Sequence, residues 1–273
     1  MRIVILRGGI ESHGAAASTH DASRCGITAL GTDDGHWVLI NVSAAVAQQL
    51  GRGPAESMPA AHAELFTAGV RAVVLTDAQL EHVGGLLGLR NGSGIALYAT
   101  PAVFEDLTTT LPVLPVLQHY CGVQWHVVPV AGDTRAASFR VEGMPTLEFT
   151  ALATQMPAPP HSAHRQQPLV GDSIALAVRD LVTGQRVFCA PGLTRIGALE
   201  FDWMREADCL LVDGREPGHG NIEPPHAASS WLELLSGLPA RHKVLFAGDD
   251  TQGLESLAHH GIELAYDGME IEL

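Results

Sequence analysis

Ala72-Val73-Val74-Leu75, continuing into Thr76-Asp77-Ala78-Gln79-Leu80-Glu81-His82-Val83-Gly84-Gly85-Leu86, is the stretch on which the reading of this chain turns. Four consecutive apolar residues, three of them bulky, have the character of a buried strand. A polar turn follows, then two glycines, then a helix-forming run from Leu86 to Arg90. Strand, turn and helix in that order put the turn at the carboxyl end of a parallel strand, where α/β proteins hold their ligands. Asp77, Gln79, Glu81 and His82 crowd into six positions of that turn. All four side chains can bind a metal, and a hard cation accepts the oxygens as well as the imidazole. Acids that begin a helix also cap it and favour its dipole, so the carboxylates taken alone read as structural.

Outward from this turn, composition sets limits. The chain has 273 residues, which suits one α/β domain spanning 1–273, and 46% apolar residues supply a core. Thirty acids against 16 bases leave a net charge of −14. That argues against nucleic acid as partner and against an anionic membrane surface. No apolar run has the length to span a bilayer, so no membrane insertion is expected. Met1 to Leu6 is too short for the apolar region of a signal peptide and reads as the first strand of a cytoplasmic protein. An acidic surface fits a homodimer no better than a monomer. Cys25, Cys121, Cys189 and Cys209 are scattered without C-x-x-C spacing, and the last two lie in strand-like runs as buried thiols. Most of the 14 histidines lie in loops.

Along the chain, Ile27–Leu30 and Trp37–Asn41 read as a hairpin across Asp34-Gly35, and Ser43 caps a helix from Ala44. Pro101 opens another helix. Leu111–Gln118 holds two prolines and reads as irregular. Gln155–Val170, with four prolines, His161 and His164, reads as a long loop, a feature that often carries function. Strands are expected at Thr146–Ala153, Ile174–Arg179, Arg186–Ala190, Cys209–Val212 and Lys243–Ala247. Alternating strands and helices with early hairpins predict a layered αββα sandwich.

The frame of the opening turn resembles the T-H-x-H-x-D-H-x-G-G motif of the metallo-β-lactamase superfamily. Asp77 and Gln79 stand where histidines would, Glu81 stands for the aspartate, and Thr76, His82, Gly84 and Gly85 are kept. In that light the turn reads as an altered or former metal site. Longer stretches resemble one branch, the PqqB family (coenzyme PQQ synthesis protein B). They include Asn41-Val42-Ser43, Asp106-Leu107-Thr108-Thr109, Pro159-Pro160-His161-Ser162-Ala163-His164-Arg165, Gly171-Asp172-Ser173-Ile174, Ala190-Pro191-Gly192-Leu193, Ala207 to Gly214, and Ala265 to Leu273.

The resemblance implies an αββα fold of the metallo-β-lactamase type and a part in biosynthesis of pyrroloquinoline quinone. The implied activity is an iron-dependent hydroxylation of the tyrosine ring of a Glu-Tyr-derived peptide precursor. One divalent metal, iron, would be held by Asp77, Gln79, Glu81, His82 and Asp213. His82, Glu81 and His164 would be catalytic, and Arg165, His161 and Asp172 would meet the substrate. Two other readings stand beside it: a non-catalytic carrier of PQQ or its precursor, delivering to the periplasm, and a metal-dependent hydrolase of the superfamily. Three departures from the family pattern bear on these. The family's cysteine-rich zinc motif is reduced to Cys25, with His13, His20 and Asp21 nearby, so no structural zinc is expected there. Phe246 stands where the superfamily carries a metal-side histidine, with Asp249 and Asp250 just beyond as substitute oxygens. Glu81 is one methylene longer than the usual aspartate.

Overall fold

The computed structural model describes residues 1–8, 26–53, 63–65, 69–193, 196–213, 231–246 and 254–273. Its strands are β1 (Arg2–Arg7), β2 (Ile27–Gly31), β3 (Trp37–Ile40), β4 (Val70–Val74), β5 (Ile95–Ala99), β6 (Val123–Val127), β7 (Ala136–Phe139), β8 (Leu147–Ala153), β9 (Ile174–Asp180), β10 (Arg186–Ala190), β11 (Cys209–Asp213), β12 (His242–Phe246), β13 (Glu263–Leu264) and β14 (Met269–Glu272). They form two seven-stranded sheets, ordered β14-β1-β2-β3-β4-β5-β6 and β13-β12-β11-β10-β9-β8-β7. Each sheet is mixed: β3 to β6 run parallel, as do β10 to β13, and the remaining pairs are antiparallel.

The helices are α1 (Ala44–Arg52), α2 (Leu80–Val83), α3 (Pro101–Thr108), α4 (Val113–Gln118), α5 (Ala198–Glu206), α6 (Trp231–Ser236) and α7 (Leu254–His259), with a 3-10 turn at Gly84–Leu89 directly after α2. Three apolar layers hold them to the sheets. Between the sheets, Ile3, Ile5, Val38, Ile40 and Val74 meet Phe149, Leu176, Val187, Leu211 and Val244. On the outer face of the first sheet, Trp37, Leu39, Val73 and Leu97 pack under Val46, Val103, Leu107 and Leu114. On the outer face of the second, Phe188, Leu210 and Leu245 pack under Met204, Trp231 and Leu235. A central strand is therefore buried on both faces, which is why Ala72–Leu75 is continuously apolar rather than alternating. The architecture is the expected αββα sandwich.

Local rules account for most element ends. The Ser43 side chain accepts the Val46 N–H at the start of α1, and Thr100 caps α3 with Pro101 in its first turn. One expectation is corrected. Val113–Gln118 is helical despite its prolines, because Pro112 is the N-cap and Pro115 lies in the first turn, where a missing N–H breaks no bond. Helix α5 begins at Ala198, where the Glu200 side chain accepts the Gly197 N–H at 2.9 Å. Gln155–Val170 contains no strand or helix, as expected.

Candidate functional site

The turn after β4 is tied from three sides. Asn41, just past β3, is fully buried with φ of 63°, a left-handed conformation that asparagine tolerates. Its Oδ1 accepts the Thr76 backbone N–H at 2.9 Å, and its Nδ2 donates to Thr76 Oγ1 at 2.9 Å. The Thr76 hydroxyl is then placed to donate to Asp77 Oδ2 at 3.0 Å. From the second sheet, the Ile174 N–H donates to the Thr76 carbonyl at 2.8 Å, and Ser173 makes a β-bridge with Asp77. From behind, the Val42 N–H donates to the His82 carbonyl at 2.7 Å and the Gly85 N–H to the Val42 carbonyl at 2.9 Å.

That last approach explains the glycine pair. A Cβ on Gly85 would lie 2.2 Å from the Ser43 carbonyl oxygen, whereas one on Gly84 would meet only Leu80 Cδ1 at 3.8 Å. The second glycine is required by the fit, and the first is not. Gly192, in the turn after β10, lies against side chains and not backbone. Its Cβ would strike Met156 Sδ at 2.3 Å and lie 3.9 Å from Asp77 Oδ2.

At the centre, His82 Nδ1 lies 2.9 and 2.8 Å from Asp77 Oδ1 and Oδ2, and both residues are 1% exposed. Asp77 Oδ1 also accepts the Gln79 N–H at 2.8 Å. Burial by itself pushes the Asp77 carboxyl up. The neighbouring His82, with the donors on His82, Gln79 and Thr76, outweighs it and holds the group below the usual carboxylate range. A carboxylate on Nδ1 fixes that nitrogen as the donor, so Nε2 is the basic atom the ring presents. Metal-bound or proton-accepting histidines are oriented in this way. Asp77 thus serves as the partner of His82.

The other expected donors are spread along the same edge. Gln79 is the N-cap of α2, buried, with Nε2 donating to the Pro157 carbonyl at 3.4 Å. Glu81 is half-buried in the first turn of α2. Asp213 ends β11, buried, in register with Phe246 on β12. The Phe246 ring lies 3.4 Å from where a Gly26 Cβ would stand and belongs to the apolar layer between the sheets. Among the described residues, no three His, Cys, Asp or Glu side chains group closely enough to hold a metal ion. The oriented imidazole fits one edge of a metal site; the described residues do not complete a ligand set. His13, His20, Asp21, Cys25, Asp249 and Asp250 lie outside the described residues.

His161, His164, Arg165 and Asp172 make no hydrogen bond or ion pair with Asp77, Glu81 or His82. His164 Nε2 lies 3.3 Å from Glu105 Oε2 on α3. Asp172 Oδ2 accepts the Leu169 N–H at 2.6 Å, while Oδ1 is buried without a partner. Burial pushes this carboxyl above its usual range, against the opposing effects of the Leu169 N–H and His164. Arg165 is exposed and His161 half-buried. The bonds made by Asn41 and Thr76, and the close fits at Gly85 and Gly192, went unread in the sequence. An asparagine ending one strand two residues before a helix cap was the available signal for the first.

Comparison with known proteins places this geometry. The profile described as "Beta-lactamase superfamily domain" matches residues 36–246. Coenzyme PQQ synthesis protein B of Methylobacillus flagellatus is 37% identical, over 87% of this chain and 84% of that protein. The protein of the same name from Cupriavidus necator is 37% identical, over 97% of this chain and 92% of its own. The crystal structure of Zn(2+)-bound PqqB from Methylobacterium extorquens superposes with a TM-score of 0.70 at 21% identity, covering both chains fully, which bears on the fold. Identity at this level over nearly the whole length makes the chain a member of the coenzyme PQQ synthesis protein B family, within the β-lactamase superfamily.

Proposed function

We propose that this chain acts in pyrroloquinoline quinone biosynthesis by hydroxylating the tyrosine ring of a Glu-Tyr-derived peptide precursor, with one divalent metal, iron, at the end of β4. Membership of the family supports the biosynthetic role. The observation that carries the site assignment is the buried Asp77–His82 pair, which aims Nε2 away from its carboxylate. His82 would be one ligand of the metal and Asp77 would orient its ring, while Glu81, Gln79 and Asp213 do not complete a ligand set among the described residues. Bound there, iron supplies the redox chemistry that ring hydroxylation needs. The protein's own part is positioning: Asn41 and Thr76 set Asp77, Asp77 sets His82, and the Ser173 bridge ties the turn to the second sheet. Arg165, with His161 and His164 on the same loop and Asp172 just after it, would receive the acidic peptide, since guanidinium pairs well with carboxylate.

The test loads purified protein anaerobically with Fe(II) or Zn(II), desalts it, and measures retained metal and the mass of a tyrosine-containing peptide after O2 is admitted with ascorbate as two-electron reductant, so that one oxygen atom enters the ring and the other leaves as water. One retained metal per chain, and an oxygen-atom mass gain with iron only, are expected, and both should be lost in His82→Ala. Hydroxylation that persists in His82→Ala would overturn the assignment. Zinc is included because the Methylobacterium extorquens relative was crystallised with it.

One observation favours a second reading. Phe246, buried and in register with Asp213, offers no metal donor at the position where the family resemblance implies a metal-side histidine. That suits a protein that binds the quinone or its precursor without turning it over. Tight binding of PQQ by metal-free protein, measured by calorimetry, with no hydroxylation under either metal, would select it.

A further inference from the structure

The two sheets have four edges, and three of them are guarded. Strand β14 alternates exposed Glu270 and Glu272, β13 is only two residues long, and β7 is four residues flanked by Arg135 and Arg140. Charge and shortness are the usual means of keeping an edge from pairing. Strand β6, Val123-Gln124-Trp125-His126-Val127, has neither. No Asp, Glu, Lys or Arg occurs between Asp106 and Asp133, in a chain of net charge −14.

The unpaired groups on β6 can be assigned. The Gly122 carbonyl accepts from Ile95, and the Val128 N–H donates to Ala99, so even-numbered residues turn their backbone groups toward β5. Alternation then turns those of Val123, Trp125 and Val127 outward. The Gln118 side chain caps the Val123 carbonyl at 2.9 Å. Among the described residues, the backbone N–H and C=O of Trp125 and Val127 have no hydrogen-bond partner. Helix α4 packs beside this edge, and Val116, Tyr120 and Val127 are 44%, 63% and 49% exposed.

We propose that β6 pairs antiparallel with β6 of a second copy about a two-fold axis at His126. Trp125 and Val127 of one protomer then exchange backbone hydrogen bonds with Val127 and Trp125 of the other, and the first sheet continues across the dimer. Val116 and Tyr120 are covered from each side. An antiparallel edge is self-complementary, as a two-fold interface requires. Charge selects a second copy as the occupant. Two molecules of net charge −14 meet with least repulsion where neither carries charge, and a strongly charged partner finds no counter-charge there.

The experiment is sedimentation of the full-length chain over a range of concentrations, with amide hydrogen exchange on the same samples. A species of twice the 28.9 kDa chain mass is expected, with the Trp125 and Val127 amides gaining protection as it forms. Val127→Lys and Tyr120→Glu, both on exposed positions, should weaken dimerisation by roughly tenfold or more while keeping the native circular dichroism. Glu272→Lys on β14 should not weaken it. A monomer at every concentration, a dimer unmoved by the β6 variants, or a dimer without protection at Trp125 and Val127 would each overturn the proposal. The exchange readout uses the unaltered chain, so a variant that fails to fold does not remove the test.

Discussion

Two groups of carboxylate and imidazole flank the end of the same sheet, and they are built in opposite ways. Asp77 and His82 are buried together, with every Asp77 oxygen engaged: the ring on both, the Gln79 N–H on one and the Thr76 hydroxyl on the other. Asp172 and His164 sit on the Gln155–Val170 loop and just after it. Asp172 has one oxygen engaged and one buried without a partner, and His164 meets Glu105 at a half-exposed edge. Similar residues are fixed in the first place by backbone and neighbouring strands, and in the second by their own loop and one half-exposed contact to α3. The first arrangement aims an atom. The second stores an unfavourable charge.

If this contrast is right, removing the imidazole should have very different consequences at the two places. His82→Ala leaves the Asp77 carboxylate buried without its main partner, and a stability loss of about 3–5 kcal/mol is expected in urea unfolding. His164→Ala should change stability by less than about 0.5 kcal/mol, because its partner Glu105 is more than half exposed. Equal losses would remove the distinction. The double variant Asp77→Ala, His82→Ala should regain part of the loss, since no buried charge is then left alone.

The next largest effect tests the backbone that holds His82. Gly85→Ala places a methyl group against the Ser43 carbonyl, which cannot yield without moving α1, and about 3 kcal/mol should be lost. Gly84→Ala meets only Leu80 Cδ1, at an ordinary van der Waals distance, and should cost less than about 0.5 kcal/mol. In the Gly85 variant the His82 imidazole should also lose its single tautomer in nitrogen NMR spectra. That signature would not change if Gly85 merely filled space far from the ring.

A smaller effect tests the hydroxyl that links Asn41 to Asp77. Thr76→Val keeps the shape but leaves Asn41 Nδ2 and Asp77 Oδ2 each short of a partner, and a loss of about 1–3 kcal/mol is expected by chemical denaturation. Thr76→Ser should restore most of it. Failure of the serine to rescue would mean that packing of the methyl group, rather than the hydroxyl, is what matters.

These three tests fall where the sequence was least legible. The layers were readable because burial on both faces leaves an uninterrupted apolar run at Ala72–Leu75, and because Ser43 and Pro101 mark helix starts by local chemistry alone. Pro115 misled for a local reason too: a proline is a breaker only past the first turn, and the position of that turn depends on where α4 docks. The site was half legible. Spacing brought Asp77 and His82 to one turn, but it could not show that the carboxylate turns back onto Nδ1 and so orients the ring. Asn41 and Thr76 are 35 residues apart in sequence, and Ser173 bridges to Asp77 from the other sheet. Both contacts follow from tertiary packing, which no local pattern encodes.

The smallest effect concerns the loop carboxylate. The Asp172 carboxyl is raised above its usual range by burial, so the folded chain keeps a proton that the unfolded chain has already released. More protons bound in the folded state means that stability falls as pH rises from the ordinary carboxylate range through the raised value, and the deficit then stays constant at higher pH. Asp172→Asn removes this charge yet keeps an oxygen for the Leu169 N–H, and its amide can donate toward the Glu105 and Asp106 side of the cluster. At neutral pH the variant should be more stable by up to about 1 kcal/mol, or ~2 °C in thermal unfolding. Near pH 4, roughly where an ordinary aspartate titrates, the advantage should shrink toward nothing. A gain of the same size at both pH values would mean that the amide's new hydrogen bonds, and not the relieved charge, are responsible. The loop would then differ from the Asp77–His82 turn in geometry alone.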